Sequence, residues 1–257
     1  MAGKLYACSV KTTSKKQPLS RIPSEQFNGA AAEQRRKAGQ AVGPDPPVPL
    51  PAVDRVDAVG KVRWYAEGSM SRSPGKRPAN YQDLLVAPDH LVAEIVDDEL
   101  VTSPRPATRH AAAASSLGAD LHTSFGRSGG PGPGGWVLLD EPELHLVGQI
   151  LVPDLADWRR ARMPEVPDVA FFELVPDWIC EVIPPTTAAL DRTRKAHHYC
   201  CAEVGHLWFV DPELRTLDVF RLEAGAWRLM ISAAGDVKVL AEPFDEIELE
   251  LAGLWAR

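Results

Sequence analysis

Cysteine is scarce in this sequence: there are four in 257 residues, two of them adjacent at Cys200 and Cys201. That number does not make a disulfide framework at this length, which excludes the small secreted scaffolds that depend on one. Long apolar runs are also missing, so no segment is predicted to span a bilayer. Met1–Val10 lacks the continuous apolar core of a signal peptide, and a cytoplasmic protein is the expectation. Basic charge is in short supply over most of the chain. Fourteen of the 28 basic residues but only six of the 35 acidic ones fall in residues 1–78, so that stretch carries a net +8 and the remainder −15. A surface that acidic keeps a domain soluble and makes it a poor generic binder of nucleic acid.

Hydrophobic periodicity is absent from residues 1–78. Lys11–Lys16 is polar and basic, and Gly43–Pro51 is proline-rich. Such a stretch buries too little apolar surface to offset its ordering entropy. The expectation is therefore a disordered or mis-annotated N-terminal extension over 1–78, with Met70 as an alternative start. One folded domain is expected over 79–257, a length that holds one sizeable core.

What is present centres on Trp178–Asp211. Trp178-Ile179-Cys180-Glu181-Val182-Ile183 has strand length and is rich in β-branched residues, yet carries one charge, Glu181, where a buried strand has none. Pro184 and Pro185 end it, and Thr186 or Thr187 can cap a helix that follows. From Ala188 the pattern turns helical, with Ala189, Ala196, Tyr199 and Cys200 on one stripe and Asp191, Lys195 and His198 on a neighbouring face. Gly205 stops it. Leu207-Trp208-Phe209-Val210 is a second strand, closed by Asp211-Pro212. The unit is β-α-β.

Around it the chain reads as strand-rich. Tyr81–Leu85 is a short helix, and Leu91–Val96 and Glu99–Thr102 form a hairpin about Asp97-Asp98. Thr108–Leu121 is an alanine-rich helix. The glycine-rich loop Gly126–Gly135 lacks the Gly-Lys-Ser/Thr ending of a phosphate loop and reads as surface. Trp136–Asp140, Glu143–Val147 and Ile150–Val152 are strands, the last ending at Pro153-Asp154, and Trp158–Met163 reads as a basic loop. Thr216–Leu222 and Ala226–Ile231 form a hairpin, and Phe244–Leu254 closes the chain. These elements predict one mixed α/β (α+β) domain, a central mixed sheet flanked by helices.

Carboxylates at strand ends with a nearby cation suit divalent-metal chemistry. Asp154 and Glu181 are such carboxylates, and Lys195 on the following helix can reach back over the strand end. Structural roles compete with each assignment. Glu181 can be a paired core carboxylate, and Asp154 an ordinary turn residue with Asp168 as its rival. Lys195 with Asp191 can be a solvated helix pair, Glu94 a hairpin residue, and His110 a packing residue. His197, Cys200, Cys201 and His206 invite a zinc site but have no Cys-x-x-Cys spacing.

Together, Pro153-Asp154, Asp177 to Thr187, Asp191 to Lys195, Tyr199 and Leu207 to Pro212 resemble the Uma-two family. These are restriction-endonuclease-like proteins of the PD-(D/E)xK nuclease superfamily. The resemblance runs from about Tyr81 to near the end, with Glu94 matching a glutamate in the family's opening hairpin and Arg109-His110 an Arg-His pair on its first helix. It implies a restriction-endonuclease-like core and a Mg²⁺- or Mn²⁺-dependent endonuclease that hydrolyses phosphodiester bonds, with DNA the expected substrate and a homodimer the expected assembly. It implies Asp154 and Glu181 as metal ligands, Lys195 as the catalytic lysine and Glu94 as an accessory carboxylate. The usual lysine position after the glutamate holds Ile183, so the lysine is displaced onto the helix. One departure stands out: the family usually has Leu-Ser-Pro-Ser-Thr where this chain has Ile183-Pro184-Pro185-Thr186-Thr187. Two alternatives stay open: a catalytically silent nuclease-fold binding or regulatory module, which Pro184 and the acidic surface fit, and a zinc-stabilised interaction domain, which the histidine–cysteine cluster suggests. The acidic body predicts weak, salt-sensitive contact with nucleic acid through Arg159, Arg160, Arg192 and Arg194.

Overall fold

Two-sided burial decides the architecture, because the most apolar strand of the sequence has to be covered on both faces. The computed structural model describes the backbone of Lys61–Val62 and residues 77–127, 130–183 and 190–255. All of them belong to one unit, Ala52–Arg257. In chain order the elements are β1 (Lys61–Val62), α1 (Tyr81–Leu85), β2 (Leu91–Val96), β3 (Glu99–Pro104) and α2 (Thr108–Leu121), which runs on into a π-helical turn, His122–Gly126. Next come β4 (Trp136–Asp140), β5 (Leu144–Leu146), β6 (Gln149–Leu151), β7 (Leu155–Arg159) and β8 (Trp178–Val182). A second π-helical turn, Asp191–Lys195, leads into α3 (Ala196–Cys201). The chain then forms β9 (His206–Asp211), β10 (Thr216–Glu223), β11 (Ala226–Ala234), β12 (Lys238–Val239), β13 (Leu249–Glu250) and a 3₁₀ turn, Leu251–Leu254.

The main sheet has seven strands in the order β1-β11-β10-β9-β8-β7-β4. Its one parallel pair among the described residues is β8 with β9, joined through the π turn and α3; the other neighbours are antiparallel. A four-stranded sheet, β3-β2-β6-β5, carries the first hairpin. Alternation along β8 sorts its side chains. Trp178, Cys180 and Val182 pack with Ala113, Leu117 and Leu121 of α2 and with Phe244. Ile179 packs on the other side with Ala196 and Tyr199 of α3. Glu181 has the parity of Ile179, so the one charge in the strand faces α3.

The structure changes two readings. The strand β7 is missing from the expected set: Pro153-Asp154 links β6 to β7, so Asp154 precedes a strand rather than ending one. Pairing to β4 on one side and β8 on the other holds Leu155–Arg159 extended despite Asp157 in its middle. The expected continuous α-helix from Ala188 to Gly205 is, in its described part, a π turn followed by six α-helical residues. Pro184, Pro185 and the cap residues Thr186 and Thr187 lie outside the described residues. So does nearly all of the expected N-terminal extension, apart from Lys61–Val62, which pairs with Trp227 and Arg228, and Arg77 and Pro78.

Candidate active site

The first hairpin is fastened to the π turn and α3. Arg194 donates to Asp97 Oδ2 at 2.6 Å and to the Val96 carbonyl at 2.8 Å, and His198 Nε2 lies 2.8 Å from Asp97 Oδ1. Burial depresses the His198 pKa, and Asp97 offsets only part of that. This clamp lays β2 against the next turn of helix. Residues 94 and 195, far apart in sequence, are thereby brought together.

Lys195 is 2% exposed. Its Nζ lies 2.8 Å from Glu181 Oε1, 3.0 Å from Glu94 Oε1 and 3.6 Å from Asp191 Oδ1, and it donates to the Val152 carbonyl at 3.5 Å. Tyr199 Oη donates to Glu181 Oε1 at 2.5 Å, and the Val152 N–H donates to Glu94 Oε1 at 2.8 Å. Glu94, Glu181 and Asp191 are all buried. A buried charge is tolerated only with partners of this kind. Burial pushes the Glu181 pKa well up, with Asp191, Asp154 and Glu94 adding to the rise and Lys195 opposing it. For Lys195 burial opposes the charge, but Glu181 and Glu94 outweigh it and hold the ammonium well above its ordinary value. Burial, then Glu181, lifts the Tyr199 phenol, which stays a donor.

Asp154 stands at the same end of the sheet. The register Leu155↔Cys180, extended by one step, sets it across from Glu181. Its Oδ2 accepts the Val182 N–H at 2.7 Å, and its Oδ1 lies 3.2 Å from His110 Nε2 on α2. Burial lowers the His110 pKa, but the hydrogen bond and charge of Asp154 outweigh it and the net shift is upward. Asp154 thus leans towards α2, while Glu181 faces α3, and the two carboxylates meet through electrostatics: Asp154 is among the charges that raise Glu181. A cleft of about 160 Å³ opens beside Asp154, lined by His110, Ala114, Ser115, Asp140 and Glu141 among others.

Four of the expected site residues are therefore at one sheet end: Glu94, Glu181 and Lys195 in direct contact, and Asp154 alongside. Asp168 is exposed on the loop after β7. Asp191 and Tyr199 are functional candidates that the sequence reading assigned to a solvated pair and a core stripe. Their signal was the spacing Asp191, Lys195, Tyr199, three residues four apart on one helical face. Of the four arginines expected to meet phosphates, Arg192 pairs with Asp218, Arg194 with Asp97 and Glu99, Arg160 donates to the Trp136 carbonyl, and Arg159 covers the Trp136 ring. The histidine–cysteine set does not gather. His197 Nε2 lies 3.6 Å from Cys201 Sγ, but Cys200 turns to the Gly225 carbonyl and His206 to Glu242. Among the described residues no three His, Cys, Asp or Glu side chains stand as a ready metal cage.

A mixed sheet flanked by few helices, with a buried carboxylate–lysine cluster where β8 gives way to the helical crossover, defines the fold class as a restriction-endonuclease-like α+β domain. The profile of the Uma2 family, described as "Putative restriction endonuclease", matches residues 78–252, and the chain belongs to this family. Among solved structures it is similar to the crystal structure of a "putative nuclease belonging to DUF820" from Anabaena variabilis. That likeness has a TM-score of 0.53 at 19% identity and covers 63% of this chain and 89% of the other, so it bears on the fold alone. Comparison with curated proteins gives no match. Among the described residues no helix is long and apolar enough to cross a membrane.

Proposed function

We propose that the unit from about residue 79 onward is a divalent-cation-dependent nuclease that hydrolyses phosphodiester bonds of nucleic acid, with DNA as the expected substrate. The observation that carries this reading is the burial of one ammonium among Glu94, Glu181 and Asp191 at the strand end where Asp154 also stands. Carboxylate and carbonyl oxygens are the donors a hard Mg²⁺ or Mn²⁺ ion prefers. The set fits such an ion chemically, with Asp154 and Glu181 as its ligands and Glu94 as the accessory carboxylate. When bound, the cation supplies Lewis-acid polarisation of the scissile phosphate and lowers the pKa of the attacking water.

The chain's own residues do the rest. Tyr199 and Lys195 fix Glu181 by one oxygen. The Val182 N–H and His110 fix Asp154 by both of its oxygens. Lys195 carries the positive charge that is to offset charge building on the phosphate. The acidic body, with Arg159, Arg160, Arg192 and Arg194 engaged internally, predicts a weak substrate contact that salt weakens further. Homodimerisation is the assembly we propose for it.

The test is cleavage of plasmid, linear duplex, single-stranded DNA and RNA at low salt with Mg²⁺ or Mn²⁺. Wild type should cut at least one substrate, and Glu181→Ala and Asp154→Ala should not. Equal cleavage by wild type and Glu181→Ala removes the enzyme reading. A folded wild type that cuts nothing favours a silent nuclease-fold module.

A further inference from the structure

The Lys195 ammonium lies where Glu94, Glu181 and Asp191 come together. Glu181 and Glu94 are among the oxygens the proposed cation would use. We propose that this arrangement is the resting form of the site, in which Lys195 holds the cation's place, and that a divalent cation enters by exchange with the ammonium. This inference rests on the cation-dependent reading given above.

Three features carry it. First, the place is filled and shut. Lys195 is buried, and among the described residues the hydrogen bonds and ion pairs of Glu94 and Glu181 all fall on their Oε1 atoms, each held partly by Lys195. An ion that approaches Glu181 on this side meets an ammonium already seated. Second, acidic groups outnumber the cation. Three carboxyl groups surround one ammonium, so a divalent ion can join the cluster while the ammonium stays near. The exchange therefore moves Lys195 to the rim of the site and does not expel it. Its flexible four-carbon stem allows that reach.

Third, Lys195 is mounted on an irregular turn rather than on a strand. Glu94, Glu181 and Val152 belong to strands or to the turn between them, whereas Asp191 and Lys195 are the first and last residues of the π turn. The Ala196 N–H bonds both the Asp191 and the Thr193 carbonyls, so this turn is already shared between two hydrogen-bond registers. π turns are uncommon and concentrate at functional positions. Tightening this one to α register rotates a side chain by about 100° per residue shifted. Such a rotation carries the ammonium off the carboxylates and leaves the strand-borne ligands where they are.

The experiment uses the full chain and Mn²⁺ as the probe. Lysine acetylation is read at Lys195 by peptide mass spectrometry, with and without saturating Mn²⁺, in wild type and Glu181→Gln. Acetylation of Lys195 should be low without the ion and rise at least tenfold with it, and the rise should be absent in Glu181→Gln. By calorimetry, Lys195→Met should bind Mn²⁺ at least tenfold more tightly than wild type, since the competitor is gone. If Lys195→Met does not fold, the wild-type labelling decides alone. Mn²⁺ bound in a Glu181-dependent way with Lys195 still protected overturns the exchange and leaves the cation-dependent reading standing. Absence of any Glu181-dependent Mn²⁺ binding, in wild type and in Lys195→Met, overturns both.

Discussion

Glu181 and Asp157 are buried carboxylates on adjacent strands of one sheet, and they have opposite fates. Glu181 faces α3 and receives an ammonium and a phenol. Asp157 faces α2 and is 1% exposed, and neither of its oxygens has a hydrogen-bond partner. Across the ladder from it, the Trp178 indole N–H is likewise without one. Burial, reinforced by Asp140, pushes the Asp157 pKa well up. Burial and Asp140 both disfavour the charge on Asp157, whereas at Glu181 Lys195 offsets part of the same cost. The comparison teaches that burial alone does not mark a functional carboxylate. What distinguishes Glu181 is that other elements were brought to it.

The contrast breaks most sharply in activity. Glu181→Gln should lower cleavage by about 10³-fold or more, since on the proposed reading it removes a ligand of the cation that would carry the transition-state charge. Asp157→Asn should leave cleavage within about threefold, because an uncharged amide suits surroundings that disfavour the charge. An Asp157→Asn protein that folds but does not cut would undo the comparison.

Stability gives the next largest effect. Lys195→Met, without metal, should lower unfolding free energy by about 3–5 kcal/mol, the cost of breaking a buried pair from one side. Urea unfolding measures it. Tyr199→Phe should cost about 1.5–3 kcal/mol, the range for a hydrogen bond to a charged group, and should spare the near-ultraviolet signature of the core.

Asp157 predicts a gentler effect. Its folded pKa lies above its unfolded value, so the folded state holds more protons. Stability is therefore greatest near and below the unfolded carboxylate pKa, and declines as pH rises towards the folded one. Asp157→Asn should flatten that decline at pH values above the unfolded carboxylate range. Parallel slopes in the two proteins would show that Asp157 ionises freely. The smallest effect is expected from Pro184→Ser, which restores the hydroxyl usual in the family. Cleavage should stay equal or rise, and a fall would mean that the proline has its own role.

Glu181 was legible in the sequence because a charge inside an apolar strand demands an explanation wherever the strand lies. Lys195 and Asp191 were ambiguous, because four-residue spacing of opposite charges is what solvated helices show. Their burial comes from a hairpin nearly a hundred residues upstream, held by Arg194 and His198 to Asp97, and no local pattern records that. β7 escaped for a related reason. Asp157 in its middle looks polar in sequence, and only the two flanking strands bring it into the core. The π turn has no compositional signature, so the helix was read as continuous. Asp154 was placed at the right sheet end but on the wrong strand boundary, because Pro153 ends one apolar run and begins the next.

The two residues of β1 have a consequence for how the domain behaves as material. They cover the outer edge of β11 at Trp227 and Arg228, on a strand that continues to Ala234. A fragment that begins after Val62, including one that begins at Met70, leaves that edge bare, with its amides and carbonyls free to template another chain. Its first symptom would be self-association that grows with concentration, in a preparation whose core is otherwise whole.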